Sequence, residues 1–124
     1  MKHRDAVPTC LFMPPPGGPW RIRVEVADRF VPRLIGLLGR SDAPASDCGL
    51  LLIARGGVHT LGMRFAIDIA QLDRELRVLR VTSRVPPGRW ITAPRGTRAT
   101  LEMAADTLPP PLTGRRFYCN RDYP

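Results

Sequence analysis

Residues 59–73 read His-Thr-Leu-Gly-Met-Arg-Phe-Ala-Ile-Asp-Ile-Ala-Gln-Leu-Asp, and this stretch decides the fold. Within it, residues 66–72 are apolar on both faces of an extended strand: Asp68 shares one face with alanines and a leucine, and isoleucines occupy the other. A short run that is apolar on both sides is typical of a strand inside a sheet. The stretch therefore predicts a central strand that carries a carboxylate.

Asp68 needs partners in that position, because burying an unpaired charge costs several kcal/mol. Backbone amides, the His59 side chain or the Arg64 guanidinium could supply them. Two hypotheses follow: Asp68 fixes a loop, or it takes part in binding or chemistry. We favour the first, because structural networks also bury carboxylates.

The rest of the chain is rich in strand patterns. Alternation of apolar and polar residues over residues 20–26 predicts a half-buried antiparallel strand. Similar patterns predict shorter strands at residues 50–53, 58–61, 76–82, 90–94 and 97–103, and a short closing edge at Phe117 and Tyr118. Apolar residues at helical spacing predict one amphipathic helix from Phe30 to Leu38. Together these elements predict an α+β fold with a mainly antiparallel, curled or barrel-like sheet and one or two short helices.

The domain organisation predicted is simple, because 124 residues suffice for one domain. Residues 1–19 are expected to be a proline-rich leader without regular structure, residues 20–108 a single compact domain, and residues 109–124 a C-terminal tail. The longest apolar run near the N-terminus is too short for a signal peptide or a membrane span. We therefore expect a cytoplasmic protein with no transmembrane segment.

The formal net charge of +8 raises the possibility of a nucleic-acid partner. Arginine supplies all but one of the 19 basic residues, as a GC-rich genome would produce, and only Arg115 and Arg116 are adjacent in the sequence. Aromatic residues make up only 6% of the sequence, which leaves few rings for stacking on bases. The composition therefore disfavours nucleic acid as the partner.

Catalytic and metal-binding patterns are incomplete. The 3 cysteines are widely spaced, and His59 is one of only 2 histidines, so no zinc site can be inferred. Ser41 lacks the second glycine of a nucleophile elbow, and no phosphate-binding glycine loop occurs. We expect no catalytic residue, no metal and no cofactor. Glu102 is expected to be a solvated strand residue paired with an arginine.

The polar residues of the central stretch, with one arginine upstream, form the candidate ligand-binding set: Arg40, His59, Thr60, Met63, Arg64 and Asp68. Our leading hypothesis is a non-catalytic binding or accessory domain that holds a small anionic ligand or a partner segment there. The first alternative is a hydrolase-like or metal-assisted enzyme that uses His59 and Asp68. The second is a basic nucleic-acid-binding protein.

Several motifs resemble, in order, those of the bacterial and archaeal family called domain of unknown function 192. They are Leu37-Leu38-Gly39-Arg40, Gly49-Leu50-Leu51-Leu52, His59-Thr60-x-x-Met63-Arg64-Phe65-x-Ile67-Asp68, Leu72-Asp73, Val78, Pro86-Pro87-Gly88-Arg89 and Leu101-Glu102. The resemblance covers residues 24–106. It implies a compact α+β fold with a curled sheet, and no enzymatic activity is established for the family.

The chain departs from the family pattern at two points. The aromatic residue that usually precedes the methionine motif is replaced by Val58-His59, and the common Trp-Met-Lys-Asn form is here Leu61-Gly62-Met63-Arg64. Many relatives carry secretion or lipoprotein signals, which implies an envelope setting for them.

Overall fold

A computed structural model describes residues 7–14, 20–28, 47–108 and 112–119, and the regular secondary structure of these residues is almost entirely β-strand. Their strands, in chain order, are β1 Val7–Met13, β2 Trp20–Asp28, β3 Cys48–Ile53, β4 Val58–His59, β5 Ile67–Leu72, β6 Val78–Val85, β7 Trp90–Ile91, β8 Ala99–Ala104 and β9 Tyr118–Cys119.

Seven of the strands form one large sheet in the order β6-β5-β8-β3-β2-β1-β9, and β4 pairs with β7 in a small second sheet. All neighbours in the large sheet are antiparallel except β2 and β3, which run parallel. β5 and β8 lie inside the sheet, as the apolar pattern of residues 66–72 predicts.

The large sheet curls until its two edges meet. In a flat sheet of this size, six strand spacings would separate β6 from β9 by about 29 Å. Instead, the Val78 amide at the start of β6 donates to the Arg115 carbonyl over 2.7 Å, and the Phe117 amide donates to the Leu76 carbonyl over 2.9 Å. Arg77 and Arg116 form an antiparallel bridge between these segments. The sheet is therefore barrel-like at this end.

The inner face of the curled sheet carries the main core. Side chains from both edges and from the middle of the sheet meet there: Leu11, Met13, Ile22, Val24, Leu51, Ala70, Leu72, Val78, Ala99, Leu101, Met103, Leu108, Leu112 and Phe117. Because strands alternate their side chains, the neighbouring positions point to the outer face. Phe117 is fully buried and joins the closing segment to this core.

The outer face carries a second, smaller cluster over β3, β5 and the end of β6: Leu50, Leu52, Val58, Met63, Ile67, Ile69 and Val85. Val58 and Met63 belong to the connection between β3 and β5. We call residues 54–66 and 86–98, which include β4 and β7, the covering layer. This layer packs on one half of the outer face.

Most predicted strands are confirmed, and the sheet extends beyond residues 20–108 on both sides. The leader contains β1, whose Leu11 and Met13 are 0% and 1% exposed, and the tail contains β9. β1 pairs with β2 over seven consecutive residues. The core therefore includes a strand that the sequence pattern does not indicate, because prolines adjoin it.

The α+β part of the fold prediction is not supported. The ranges described above contain no α-helix, and the helix predicted from Phe30 to Leu38 lies outside them. The structure is mainly β with a curled, half-barrel sheet. The same ranges contain no helix that could span a bilayer.

Candidate functional site

Asp68 lies on the inner face of β5 and is fully buried. Its Oδ1 accepts the backbone amide of Arg84 over 2.9 Å. Its Oδ2 accepts the amides of Thr107 over 2.7 Å and Leu108 over 2.8 Å. Three backbone donors therefore stabilise the carboxylate, and it fixes two distant loops to the central strand, as we favoured from the sequence.

The backbone that Asp68 holds is irregular. β6 carries an extra residue between the pairs Ile67↔Val85 and Ile69↔Thr82, and Arg84 in this bulge has a φ of 52°. Asp106, in the turn after β8, has a φ of 68°. A non-glycine residue rarely adopts these angles unless other contacts hold it there. The buried carboxylate provides such contacts.

The Arg84 and Asp106 side chains join the same two loops at the surface. Arg84 Nε donates to Asp106 Oδ1 over 2.6 Å. This hydrogen bond lowers the pKa of Asp106 from its ordinary value, and it raises the pKa of Arg84. Both groups are exposed, so the pair adds little compared with the buried carboxylate beneath it.

Thr60 is also buried, and its polar atoms bind the two parts of the covering layer together. Its hydroxyl donates to the Pro86 carbonyl over 2.7 Å and accepts the Arg89 amide over 2.8 Å. Its carbonyl accepts the amides of Met63 and Gly88, which sit in two tight turns. Thr60 thus stabilises the layer internally.

Polar groups on the outer face also attach the covering layer to the sheet. Gln71 Nε2 donates to the Thr92 carbonyl over 2.8 Å, and Arg80 donates both to the Gln71 side chain and to that carbonyl. Glu102 lies on the same face. The expectation that Glu102 is solvated is wrong: it is fully buried, because the covering layer closes over its strand.

His59 belongs to the covering layer, on the outer side of the sheet. Its ring stacks on Trp90 with 5.9 Å between centroids and 11° between planes. Its Nδ1 accepts the Leu61 amide over 3.3 Å, which places the proton of the neutral ring on Nε2. Trp90 is 64% exposed and Leu61 is 55% exposed. Neither was among the predicted site residues.

The sequence set is therefore divided by the fold. Asp68 faces inward, whereas His59, Thr60 and Met63 belong to the layer outside the sheet. Met63 is buried in the second cluster, Arg64 is exposed, and Arg40 lies outside the described residues. Among the residues described, no group of three or more His, Cys, Asp or Glu side chains could hold a metal ion.

All charged residues of the covering layer are arginines. Residues 54–66 and 86–98 contain no Asp or Glu. They contain five arginines, all exposed: Arg55, Arg64, Arg89, Arg95 and Arg98. Sequence spacing could not reveal this surface, because its two segments are distant in the sequence and meet through the β4–β7 pair, through Thr60 and through the bond from the Ala54 amide to the Arg98 carbonyl.

Two crystal structures share this fold. A "putative transcription regulator" from Sinorhizobium meliloti 1021 matches with a TM-score of 0.79 and 17% identity, covering 96% of this chain and 98% of that one. A protein of unknown function from Novosphingobium aromaticivorans DSM 12444 matches with a TM-score of 0.73 and 18% identity, covering 91% and 84%. At these identities the likeness shows the fold alone.

No curated protein matches the chain. The model of the DUF192 family, described as "Uncharacterized ACR", matches residues 15–109, which is well over half of the sequence. This match confirms the resemblance drawn from the motifs around His59 and Asp68. The chain belongs to the DUF192 family.

Proposed function

We propose that this protein is a non-catalytic binding domain whose covering layer holds an acidic, partly apolar segment of a partner protein. The observation that carries the proposal is Trp90, which is 64% exposed and is held from one side by the His59 ring. Tryptophan dominates binding energy at protein interfaces when it is presented in a fixed conformation. A stacked imidazole provides that support.

Leu61 extends the apolar part of this surface. It occupies the tight turn in which the Met63 amide donates to the Thr60 carbonyl over 3.1 Å, and its own amide is bonded to His59. The side chain is 55% exposed although the backbone is well fixed. Exposed apolar side chains next to a presented aromatic ring favour contact with apolar residues of a partner.

Charge selects the kind of partner. Five exposed arginines with no carboxylate among them make the layer complementary to an acidic segment. Arginine binds carboxylates through two parallel hydrogen bonds, which adds orientation to attraction. The preferred segment therefore combines Asp or Glu with apolar residues.

The internal hydrogen bonds favour a partner segment over a small anion or a reaction. The Asp68 carboxylate is occupied by three amides, and the Thr60 hydroxyl is occupied by Pro86 and Arg89. An enzyme that used His59 with Asp68 would need both on one surface, whereas Asp68 lies on the inner face and His59 in the covering layer.

A fluorescent peptide of about 12 residues that alternates Glu and Leu tests the proposal by anisotropy, with a Lys-Leu peptide of equal length as the charge control. Trp90→Ala should weaken binding of the Glu-Leu peptide by roughly tenfold or more. Arg64→Ala should weaken it less and reduce its salt dependence. Thermal unfolding of each variant verifies that the fold is retained.

Ile53→Ser and Arg74→Ala are the matched controls. Ile53 is 43% exposed but lies outside the covering layer, and Arg74 is an exposed arginine of the β5–β6 hairpin. Both variants should bind as the wild type does. Equal losses in Ile53→Ser and Trp90→Ala, or equal affinity for the Lys-Leu peptide, would show that the covering layer is not the binding surface.

A further inference from the structure

A row of two arginine and two aromatic side chains crosses the other half of the outer face. Phe12 of β1 is paired with Tyr118 of β9 on one side and with Arg21 of β2 on the other. The Arg21 guanidinium lies 5.0 Å from the Phe12 ring centroid, and the Arg116 guanidinium lies 4.5 Å from that of Tyr118. Two stacked pairs therefore adjoin on three neighbouring strands.

The row faces away from the core. Leu11 and Met13, the neighbours of Phe12, are buried on the inner face, and the neighbour of Arg21 on β2, Ile22, is buried there too. Arg21 is exposed, while Phe12 and Tyr118 are half-buried. Antiparallel partners point to the same face, so the four side chains of the row share one accessible surface.

Arg23 extends the cationic character of this surface along β2. It is exposed, and it is paired with Cys10 of β1 just as Arg21 is paired with Phe12. The two arginines therefore lie on the same face of β2. Glu25 is the next residue of β2 on this face and is also exposed. Its negative charge would repel a phosphate, so it limits the surface at that end.

The chemistry of these pairs suits bases and phosphates. Unstacked bases bind by stacking on aromatic rings and on guanidinium planes, while phosphates bind to the N–H groups at guanidinium edges. A guanidinium that lies over a ring is restrained by it, and its second plane remains available to a ligand. The Arg116 Nε already donates to the Glu75 carbonyl over 2.9 Å, so phosphate binding is assigned to other arginines. A sheet face with such pairs is a stacking platform that needs no sequence-specific contact.

We propose that this row is a binding site for single-stranded nucleic acid. Bases stack on the Arg21–Phe12 and Arg116–Tyr118 pairs, and the Arg21 and Arg23 guanidinium edges bind phosphates. The site is separate from the covering layer and does not depend on the function proposed for it. The composition disfavours such a partner because aromatic residues are few, yet the fold brings two of them, from opposite ends of the chain, into one row.

Anisotropy of a labelled oligo-dT of about 12 nucleotides tests the site, with a duplex of equal length for comparison. With about two phosphate contacts, the affinity for the single strand should fall roughly 7-fold between about 50 and 200 mM salt. Tyr118→Ser should weaken binding about tenfold. Tyr118→Phe keeps the ring and should bind normally, which separates stacking from a general effect on folding.

Arg95→Ala is the matched control for Arg21→Ala, since each removes one exposed arginine and only Arg21 lies in the row. Arg21→Ala should weaken binding severalfold and make the salt slope shallower by about 0.7. Arg95→Ala and Trp90→Ala should leave both quantities unchanged. Equal effects of Arg21→Ala and Arg95→Ala, equal affinity for the duplex, or no binding at about 50 mM salt would each overturn the proposal.

Discussion

The outer face of the large sheet has two halves that are built in different ways. Over β3, β8, β5 and β6 it is apolar, is closed by the covering layer and contains buried polar side chains. Over β9, β1 and β2 no residue of the described ranges covers it, and we call this the open half; pairs of arginine and aromatic residues occupy its surface. One half of the outer face thus lies under a second layer, and the side chains of the strands themselves form the surface of the other half.

The two halves also differ in how regularly their strands pair. β1 and β2 pair over seven consecutive residues without a break, whereas the β5–β6 pair has two register shifts. Irregular strands need side chains that satisfy displaced amides, and Asp68 does so for the bulge at Arg84. The covered half therefore depends on a few buried polar groups, and the open half does not.

Asp68→Asn should produce the largest effect, because it removes a buried acceptor from three backbone amides in the covered half. Asparagine keeps one oxygen and turns an NH₂ group toward the remaining donors. We expect a loss of about 3 kcal/mol in the free energy of unfolding, measured with urea.

Asp73→Asn is the control for this substitution. Asp73 Oδ1 also accepts two amides, from Glu75 over 2.8 Å and Arg77 over 2.9 Å, but in the partly exposed hairpin between β5 and β6. Asparagine replaces aspartate well in such turns, so the loss should stay below about 1 kcal/mol. Similar losses in the two variants would mean that burial does not distinguish these carboxylates.

Gly57→Ala should have the next largest effect, because it forces the two segments of the covering layer apart where β4 pairs with β7. A Cβ at Gly57 would lie 2.3 Å from the Ile91 carbonyl oxygen, which cannot move without displacing β7. We expect a loss of about 1–3 kcal/mol in the free energy of unfolding. Hydrogen exchange should accelerate at the Thr60 and Arg89 amides, which join the two parts of the layer.

Gly56→Ala provides the comparison, since nothing lies within 4 Å of a Cβ at that position. Its stability should change by less than about 0.5 kcal/mol. Oligo-dT binding should be the same in both glycine variants if the two halves are independent. A loss of oligonucleotide binding in Gly57→Ala alone would show that the open half depends on the covering layer.

The sequence predicted what depends on local pattern. Alternation identified β2 and β8, and a short run that is apolar on both faces identified β5. The carboxylate in that apolar strand indicated that Asp68 fixes a loop. β1 was missed because the four residues before Pro14 are apolar without alternation and adjoin prolines. Such a run forms a strand only because Leu11 and Met13 enter a core built mostly by later residues.

The composition of the candidate site could not be predicted for a related reason. The burial of Glu102 and the exposure of Trp90 both depend on how the covering layer lies on the sheet. That arrangement is set by contacts between distant segments, such as the bond from Thr60 to Pro86 and the one from Gln71 to Thr92. Neither contact leaves a periodic signal in the sequence.

The smallest expected effect concerns Arg84 and Asp106, the exposed pair above Asp68. Because the hydrogen bond from Arg84 lowers the pKa of Asp106, the pair contributes stability above the ordinary carboxyl pKa of 3.8 and loses it as the pH falls through the lowered value. Asp106→Asn should therefore be slightly less stable than the wild type at neutral pH. The difference in urea midpoint should shrink in acid and in high salt, because the pair is exposed. Asparagine suits the positive-φ turn as well as aspartate does, so the backbone itself should not distinguish the two proteins. A difference that persists in acid and in high salt would therefore mean that the stabilisation by Asp106 does not come from its charge.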